Sequence, residues 1–172
     1  MAKEQILSVY IVDDEKGSRN HLQRVIEEFL SDSLKVVGNV ERADIALKEV
    51  PGLNPDILFL DIEMPCMTGL ELAQKLQDRG YHGKTIFVTG HLEYMLKAIR
   101  AKAFDYIVKP FCLDDIKEVV KRYRQEINRS FNEKLIELLH ITEREVELLT
   151  HLAKGKTSNE IADEMNISHH TV

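Results

Sequence analysis

The chain has 172 residues, of which 44% are hydrophobic and 30% are charged, and its formal net charge at pH 7 is −6. This length suits one large or two small globular domains that bury a core. The negative charge argues against a protein that coats nucleic acid over its whole surface, so any DNA contact is expected from a local patch. No segment has the length of a membrane span or the features of a signal peptide, and we expect a soluble protein without membrane contact.

Five short segments combine β-branched and apolar residues in the way that is typical of strands. They cover residues 6–12, 35–40, 57–60, 85–88 and 106–108. Gly38 weakens the second segment, which we therefore predict as an exposed or edge strand. The third is apolar throughout, which is typical of a strand buried on both faces of a parallel sheet.

Apolar residues at helical spacing separate these strands and predict five helices. The five sets are Leu22, Val25, Ile26, Phe29 and Leu30; Ala43, Ala46, Leu47 and Val50; Leu72, Ala73 and Leu76; Tyr94, Met95, Ala98 and Ile99; and Ile116, Val119, Val120, Tyr123 and Ile127. The first helix should begin near Lys16, and Pro51-Gly52 should end the second. With right-handed crossovers, this alternation predicts an α/β fold, a flavodoxin-like doubly wound five-stranded parallel sheet with strand order 2-1-3-4-5.

Polar side chains follow four of the predicted strands. Asp13 and Asp14 come after the first strand, Asp61 after the third, Thr89 after the fourth and Lys109 after the fifth. In open α/β sheets the ligand crevice lies outside the carboxyl ends of the strands. Clustered carboxylates repel one another unless a cation joins them, and Mg²⁺ takes oxygen ligands. A lysine opposite the acids suits an anion such as a phosphoryl group.

Four short motifs contain these residues. They are Val12-Asp13-Asp14-Glu15, Leu60-Asp61-Ile62-Glu63-Met64-Pro65, Val88-Thr89-Gly90 and Tyr106-Ile107-Val108-Lys109-Pro110-Phe111. In this order and spacing they resemble the signatures of response-regulator receiver domains, and the resemblance covers roughly residues 4 to 128. It implies a protein that is not an enzyme but is phosphorylated on an aspartate by a partner histidine kinase or phosphotransfer protein.

The resemblance assigns the acids to phosphoryl transfer. It implies that Asp61 is the phosphoacceptor, a carboxylate nucleophile that forms an aspartyl phosphate. It also implies Mg²⁺ as the cofactor, held by Asp13, Asp14 and Asp61 and by the backbone carbonyl of Glu63. The metal would neutralise charge as the phosphoryl group moves.

Other matching residues would bind the phosphoryl group and report its presence. By resemblance, Lys109, Thr89 and Gly90 would form the phosphoryl-binding set. Thr89 would move its hydroxyl onto a phosphoryl oxygen, and Tyr106 would turn inward behind it. This pair of residues would therefore be a switch that changes the surface of the domain.

Gly and Pro are absent between Phe111 and Gly155. We predict a helix, a joint at the polar cluster Asn128-Arg129-Ser130, and a second helix over residues 129–140. That linker helix either transmits a signal between domains or covers exposed core, and the sequence leaves both open. The predicted division is thus a receiver of residues 1–128, a linker of residues 129–140 and a second module of residues 141–172.

The last 32 residues predict a small all-α helix-turn-helix segment. Thr142 and Glu145 form a capping box at the start of the first helix, and Ser158 is expected to cap a second helix. Asn166-Ile167 should then form a turn into a third helix, which Ser168 is expected to cap. Several matching letters resemble the LuxR-type DNA-binding domain: Thr142, Arg144-Glu145, Ala153, Gly155, Glu160-Ile161-Ala162, Ile167-Ser168 and Thr171-Val172. By that resemblance the DNA contacts begin at His169, His170 and Thr171.

The likeness to the LuxR type stops where the sequence stops. We therefore expect a truncated domain whose full-length parent binds DNA, while the chain of 172 residues does not bind it specifically. This segment holds six acids and three bases, a net charge of −3, whereas affinity for phosphate backbones depends on Lys and Arg. Its small core is predicted from four apolar residues, Val146, Leu149, Ile161 and Ala162.

Two further features bear on location and function. The cysteines Cys66 and Cys112 are too few for a disulfide framework, which indicates a reducing compartment and, with the family, the cytoplasm. The region from His91 to Tyr106 resembles receivers joined to LytTR-type effectors more than those joined to LuxR-type ones. The assignment of a LuxR-type effector therefore rests on residues 141–172 alone.

Three alternatives stay open from the sequence. The first is a receiver that acts as a phosphate sink or as a protein-interaction module. Separately, the resemblance allows the protein to form a homodimer. An aspartate-nucleophile phosphohydrolase would also use Asp61 and Glu63, although there the other acid pair follows the nucleophile. A flavodoxin-like electron carrier shares the fold, but no Ser/Thr/Gly-rich phosphate loop follows the first strand.

Overall fold

A computed structural model describes residues 5–90, 103–139 and 142–167. The chain divides into two compact units, a first of residues 3–117 and a second formed mainly by residues 118–172. Within the described ranges, no helix is both long enough and apolar enough to cross a membrane.

The first unit is built on a parallel sheet of five strands in the order β2-β1-β3-β4-β5. The strands are β1 (Leu7–Val12), β2 (Leu34–Val40), β3 (Ile57–Leu60), β4 (Lys84–Thr89) and β5 (Asp105–Val108). The predicted fold, strand order and edge position of β2 are confirmed. All four residues of β3 are buried, as expected for a strand that is covered on both faces.

Gly38 lets the edge strand approach the centre of the sheet. A Cβ atom at this position would lie 2.1 Å from Cε2 of Tyr10, so no side chain fits there. The Tyr10 ring is fully buried, and its hydroxyl donates a hydrogen bond to Glu49 Oε2 at 2.6 Å. Burial and this neighbouring carboxylate raise the pKa of Tyr10 well above its ordinary value.

Six helices lie within the described residues. They are α1 (Lys16–Phe29), α2 (Ala43–Leu53), α3 (Gly69–Asp78), α4 (Leu113–Leu139), α5 (Glu143–Ala153) and α6 (Ser158–Glu164). The helix predicted from Tyr94 to Ile99 lies outside the described residues. Two residues of the predicted helix faces are exposed, Phe29 at 61% and Ile127 at 42%. Phe29 is the last residue of α1, where the chain leaves the packed helix face.

The helix α2 does not stop at Pro51-Gly52 as predicted, but continues to Leu53. Proline has no N–H, so Pro51 leaves the carbonyl of Leu47, one turn earlier, without its helical donor. Arg79 supplies the missing donor, because its Nη1 lies 3.0 Å from Leu47 O. The helix then ends at Asn54, whose backbone is left-handed with φ 42°. A distant side chain thus offsets the break that proline would otherwise cause.

A double-mutant cycle tests this compensation. Arg79→Ala should lower the free energy of unfolding by about 1 kcal/mol, because it removes the hydrogen bond to Leu47 O. In a Pro51→Ala background the helix regains its own N–H donor, so the same change should cost less than about 0.5 kcal/mol. Chemical denaturation measures both values.

Arg24→Ala is the matched control, since the Arg24 side chain is 72% exposed and pairs with Glu28 on its own helix. Its loss should change stability by less than about 0.5 kcal/mol. An equal loss for Arg79→Ala in the two backgrounds would contradict the proposed role of Arg79.

The predicted joint near residue 128 is wrong, because α4 runs without a break from Leu113 to Leu139. The polar residues at this point have lower helix propensity than alanine, but only Gly and Pro interrupt a helix strongly. Intrahelical ion pairs also support it, such as Arg129 Nε to Glu133 Oε1 at 3.0 Å. The residues assigned to a linker therefore continue the helix that follows β5.

The second unit contains two capped helices after α4. The capping box of Thr142 and Glu145 is confirmed at the start of α5. The cap of α6 is Thr157, with its own capping box to Glu160, and not Ser158, which is the first helical residue. Thr157 is preferred because its hydroxyl reaches the N–H of the third helical residue.

The small core of this unit differs in one residue from the prediction. Val146, Ile161 and Ala162 are buried, but Leu149 is 47% exposed. Met165, at the end of α6, is buried with the other three. Asn166 follows with a φ of 52°, which confirms the predicted turn at Asn166-Ile167.

Candidate functional site

Three carboxylates meet at the carboxyl edge of the sheet. Asp13 and Asp14 follow β1, and Asp61 follows the neighbouring strand β3. Each offers an oxygen atom, and these atoms all lie within 4.8 Å of one another. Asp13 and Asp61 are buried, whereas Asp14 is exposed. The sequence predicted this cluster because parallel strands deliver the residues after them to one edge.

Lys109 lies between two of these acids. Its Nζ is 2.7 Å from Asp13 Oδ2 and 2.9 Å from Asp61 Oδ2. Glu15 Oε2 lies farther away, at 4.0 Å. The backbone N–H of Lys109 donates to Thr89 O at 2.9 Å, which extends the pairing of β4 and β5 beyond the strand end. One ammonium group therefore stands against three clustered carboxylates.

Burial and charge act in opposite directions on the pKa values of the pair. Burial raises the pKa of Asp61, the Lys109 ammonium lowers it, and the nearby Asp13 raises it again, so that it stays above its ordinary value. Burial alone would lower the pKa of Lys109. Its hydrogen bonds to Asp13 and Asp61 outweigh burial, and the pKa of Lys109 is raised. Lys109 is thus held in its charged form.

The first turn of α1 orients Asp13. Ser18 Oγ donates to Asp13 Oδ2 at 2.7 Å, and the N–H of Glu15 donates to Asp13 Oδ1 at 2.8 Å. Arg19 Nη1 donates to the carbonyl of Asp13 at 2.6 Å and pairs with Glu41 at 3.7 Å. Sequence analysis missed Ser18 and Arg19. Their only signal was their place on the first turn of the helix after the acid pair.

The backbone on both sides of Asp61 is fixed by close contacts. The N–H of Ile62 donates to Asp61 Oδ1 at 2.7 Å, and the N–H of Gly69 donates to Ile62 O at 2.9 Å. A Cβ atom on Gly69 would lie 2.0 Å from the carbonyl oxygen of Asp61. The start of α3 can approach the end of β3 this closely only with glycine. Sequence analysis did not identify Gly69 as a neighbour of Asp61.

The other predicted residues of this edge differ in their surroundings. Thr89 is 1% exposed, and its Oγ1 has no hydrogen-bond partner among the described residues. Gly90 is exposed, and Tyr106 is half-buried against the core. Glu63 is also exposed, and its carboxylate is not part of the acid cluster. The remaining predicted contacts, His169, His170 and Thr171, lie outside the described residues.

The cluster has the chemistry of a Mg²⁺ site. Its donors are carboxylate oxygens, which hard divalent cations prefer, and the exposed Asp14 leaves the cluster open to solvent. Three carboxylates exceed the single positive charge of Lys109, so a divalent cation would offset the remaining repulsion. Asp13, Asp14 and Asp61 therefore fit this metal.

The fold and this edge together define a class of protein. A five-stranded parallel sheet in the order 2-1-3-4-5, with acids after the first and third strands and a lysine after the fifth, has the architecture of a response-regulator receiver. The family of the response regulator receiver domain matches residues 9–121, and the luxR family of bacterial regulatory proteins matches residues 139–172. The chain belongs to the response regulator receiver family and carries a LuxR-type helix-turn-helix segment after it.

Known proteins support this assignment. An uncharacterised response regulatory protein of Vibrio parahaemolyticus is 35% identical over 125 residues, which are 73% of this chain and 50% of the relative. The transcriptional regulatory protein BtsR of Salmonella typhi is 37% identical over 121 residues, 70% of this chain and 49% of its own. The chain thus spans about half the length of the curated relatives that it matches.

Solved structures agree with the fold. The crystal structure of a LuxR-family DNA-binding response regulator from Staphylococcus aureus superposes with a TM-score of 0.62 at 26% identity. This match covers 69% of the present chain and 98% of the other. The similarity therefore does not extend over the whole chain.

Gly69→Ala tests the close approach beside Asp61. The added Cβ would overlap the Asp61 carbonyl, so the free energy of unfolding should fall by about 1–3 kcal/mol. Gly52→Ala is the matched control, because a Cβ at Gly52 meets nothing within 4 Å. It should leave stability unchanged or raise it by about 0.5–1 kcal/mol. Equal effects of the two substitutions in urea denaturation would show that Gly69 has no special role.

Proposed function

We propose that this protein is a response regulator in which Asp61 accepts a phosphoryl group and the LuxR-type segment acts on DNA. One observation carries the proposal: Asp61 lies beside Asp13 and Asp14 while Lys109 Nζ is 2.9 Å from its Oδ2. A nucleophilic carboxylate, a set of metal ligands and a cation for phosphoryl oxygens are thereby in one crevice. The expected donor is a phosphohistidine on a histidine kinase or a phosphotransfer protein.

The chemistry is the transfer of one phosphoryl group. An Asp61 oxygen forms a bond to phosphorus while the bond from phosphorus to the donor nitrogen breaks. The donor imidazole keeps the electron pair of that bond and takes up a proton. Mg²⁺, when bound by Asp13, Asp14, Asp61 and the carbonyl of Glu63, would neutralise the charge that develops on the phosphoryl oxygens. The protein is modified once and does not turn over, so we do not propose an enzyme.

Lys109 and the end of β4 would respond to the new anion. Lys109 is held in its charged form between Asp13 and Asp61. Its ammonium group, which contacts Asp61, would therefore pair with an oxygen of a phosphoryl group on Asp61. The hydroxyl of Thr89 is buried and has no partner among the described residues, which supports a role as a donor to that anion. We propose Gly90 as a further phosphoryl contact, and Thr89 with Tyr106 as the switch.

The proposed output is control of transcription. The match of residues 139–172 to the luxR family supports DNA binding by the whole protein more than a receiver that only stores phosphate. We propose His169, His170 and Thr171 as the first DNA contacts, since the last helix of a helix-turn-helix enters the major groove. We keep the proposed division at residues 1–128, 129–140 and 141–172, in which residues 129–139 belong to the continuous helix α4.

Intact-mass measurement with a small acyl phosphate donor and Mg²⁺ tests the phosphoacceptor. The wild-type chain should gain the mass of one phosphoryl group, and removal of the metal with a chelator should suppress the gain. Asp61→Asn should gain nothing, because the amide is not a nucleophile. Peptide mapping of the wild-type product should locate the group on Asp61.

Asp56→Asn is the matched control, since Asp56 precedes the same strand, β3, at its opposite end. Asp56 accepts hydrogen bonds from Ser8 N at 2.7 Å and from Ser8 Oγ at 2.6 Å, far from the acid cluster along the strand. This variant should still be phosphorylated. Labelling of Asp61→Asn at the wild-type level would refute the proposed role of Asp61.

A further inference from the structure

Ser18 lies on the first turn of α1 and binds one of the clustered acids. It is half-buried, and its Oγ is 2.7 Å from Asp13 Oδ2. The serine hydroxyl is the donor, because an ionised carboxylate only accepts hydrogen bonds. Asp13 is 4% exposed, so this hydroxyl takes the place of water that the carboxylate loses on burial.

The hydrogen bonds to Asp13 are divided unevenly between its two oxygens. Oδ2 is 2.7 Å from Ser18 Oγ and 2.7 Å from Lys109 Nζ. Among the described residues, Oδ1 accepts only from the N–H of Glu15, at 2.8 Å. An ionised carboxylate has about four acceptor positions, two on each oxygen. Oδ2 is therefore filled by its two donors, while Oδ1 keeps one position open.

No neighbouring side chain does what this hydroxyl does. Gly17 has no side chain, and Lys16 is exposed. Arg19 donates to the backbone carbonyl of Asp13 and not to its carboxylate. In the described ranges, Ser18 is the only uncharged side chain that donates to a carboxylate of the cluster. Without it, Oδ2 would be left with Lys109 alone.

Lys109 cannot hold Oδ2 in every state of the site. Its Nζ also lies 2.9 Å from Asp61 Oδ2, and a phosphoryl group on Asp61 would compete for it. The hydroxyl of Ser18 donates only to Asp13 within the described part of the chain, so no second acceptor draws it away. Ser18 thus keeps the carboxylate of Asp13 in one orientation while the charges around it change.

We propose that Ser18 is a positioning residue of the Mg²⁺ site. Its hydroxyl fills Asp13 Oδ2 and leaves Oδ1 to face the metal or a water molecule bound to it. The inference rests on the proposed function, because it concerns the metal that phosphoryl transfer would use. Groups that hydrogen-bond a metal-binding carboxylate orient it, and their removal typically weakens metal binding by about 10- to 100-fold. The hydroxyl of Ser18, and not only its place on α1, should therefore set the affinity for Mg²⁺.

Thermal unfolding of the full 172-residue chain in increasing MgCl2 measures this affinity, with circular dichroism as the signal. A ligand that binds the folded state raises the melting temperature by mass action, so each variant gives an apparent Kd relative to its own melting in chelator. The apparent Kd of Ser18→Ala should be at least about tenfold higher than that of the wild type. Ser18→Thr keeps a hydroxyl donor, so its apparent Kd should stay within about threefold of the wild-type value.

Ser8→Ala is the matched control. Ser8 is also half-buried, and its Oγ donates to Asp56 Oδ2 at 2.6 Å, at the opposite end of β3 from Asp61. This variant loses the same kind of hydrogen bond, so its melting temperature in chelator should fall. Its apparent Kd for Mg²⁺ should stay at the wild-type value, because the lost bond lies away from the acid cluster.

The outcomes distinguish a failure of this inference from a failure of the proposed function. An unchanged apparent Kd in Ser18→Ala would overturn the role of Ser18 while the wild type still binds Mg²⁺. Equal weakening in Ser18→Ala and Ser18→Thr, or in Ser18→Ala and Ser8→Ala, would overturn it as well. A wild-type chain whose melting temperature does not respond to MgCl2 would overturn the metal site together with this inference.

Discussion

The site depends on the contact of Lys109 with Asp13 and Asp61. Carboxylates on neighbouring strands repel each other, and two of these are buried, so the cluster is unfavourable without a cation. The ammonium group of Lys109 lies within 3 Å of both, at 2.7 Å and 2.9 Å. The sheet makes this possible, because its strand order brings residues from distant parts of the sequence to the same edge.

Hydrogen bonds from backbone N–H groups and from the Ser18 hydroxyl hold the acids beside Lys109. Asp13 is bound by Ser18 and by the N–H of Glu15, while Asp61 is bound by the N–H of Ile62. Gly69 permits α3 to begin against the carbonyl of Asp61. Hydrogen bonds therefore hold the acids in place, although one ammonium group balances only part of their charge. The remaining negative charge favours the binding of a divalent cation.

The sequence predicted the fold and the main site residues because both follow from local patterns. Short apolar segments ending in Asp13, Asp61 and Lys109 were enough to assign strands and to bring their ends together. The contribution of Arg79 to α2 could not be predicted in this way, because Arg79 and Leu47 are far apart in the sequence. The unbroken α4 was missed because a polar cluster was given the weight of a helix breaker. The exposure of Phe29 follows from its place at the end of α1, which periodicity alone does not encode.

The most direct test of this account is the coupling energy between Lys109 and Asp61. It is measured by urea denaturation at neutral pH without divalent cations, for Lys109→Met, Asp61→Asn and the double variant. Lys109→Met alone should lower the free energy of unfolding by about 2–4 kcal/mol, because it leaves Asp13 and Asp61 without their cation. In the Asp61→Asn background the same change should cost at least about 1 kcal/mol less, because one repelling charge is gone. Effects that add to within about 0.5 kcal/mol would contradict the account, since they would mean that Lys109 does not offset the charge of Asp61.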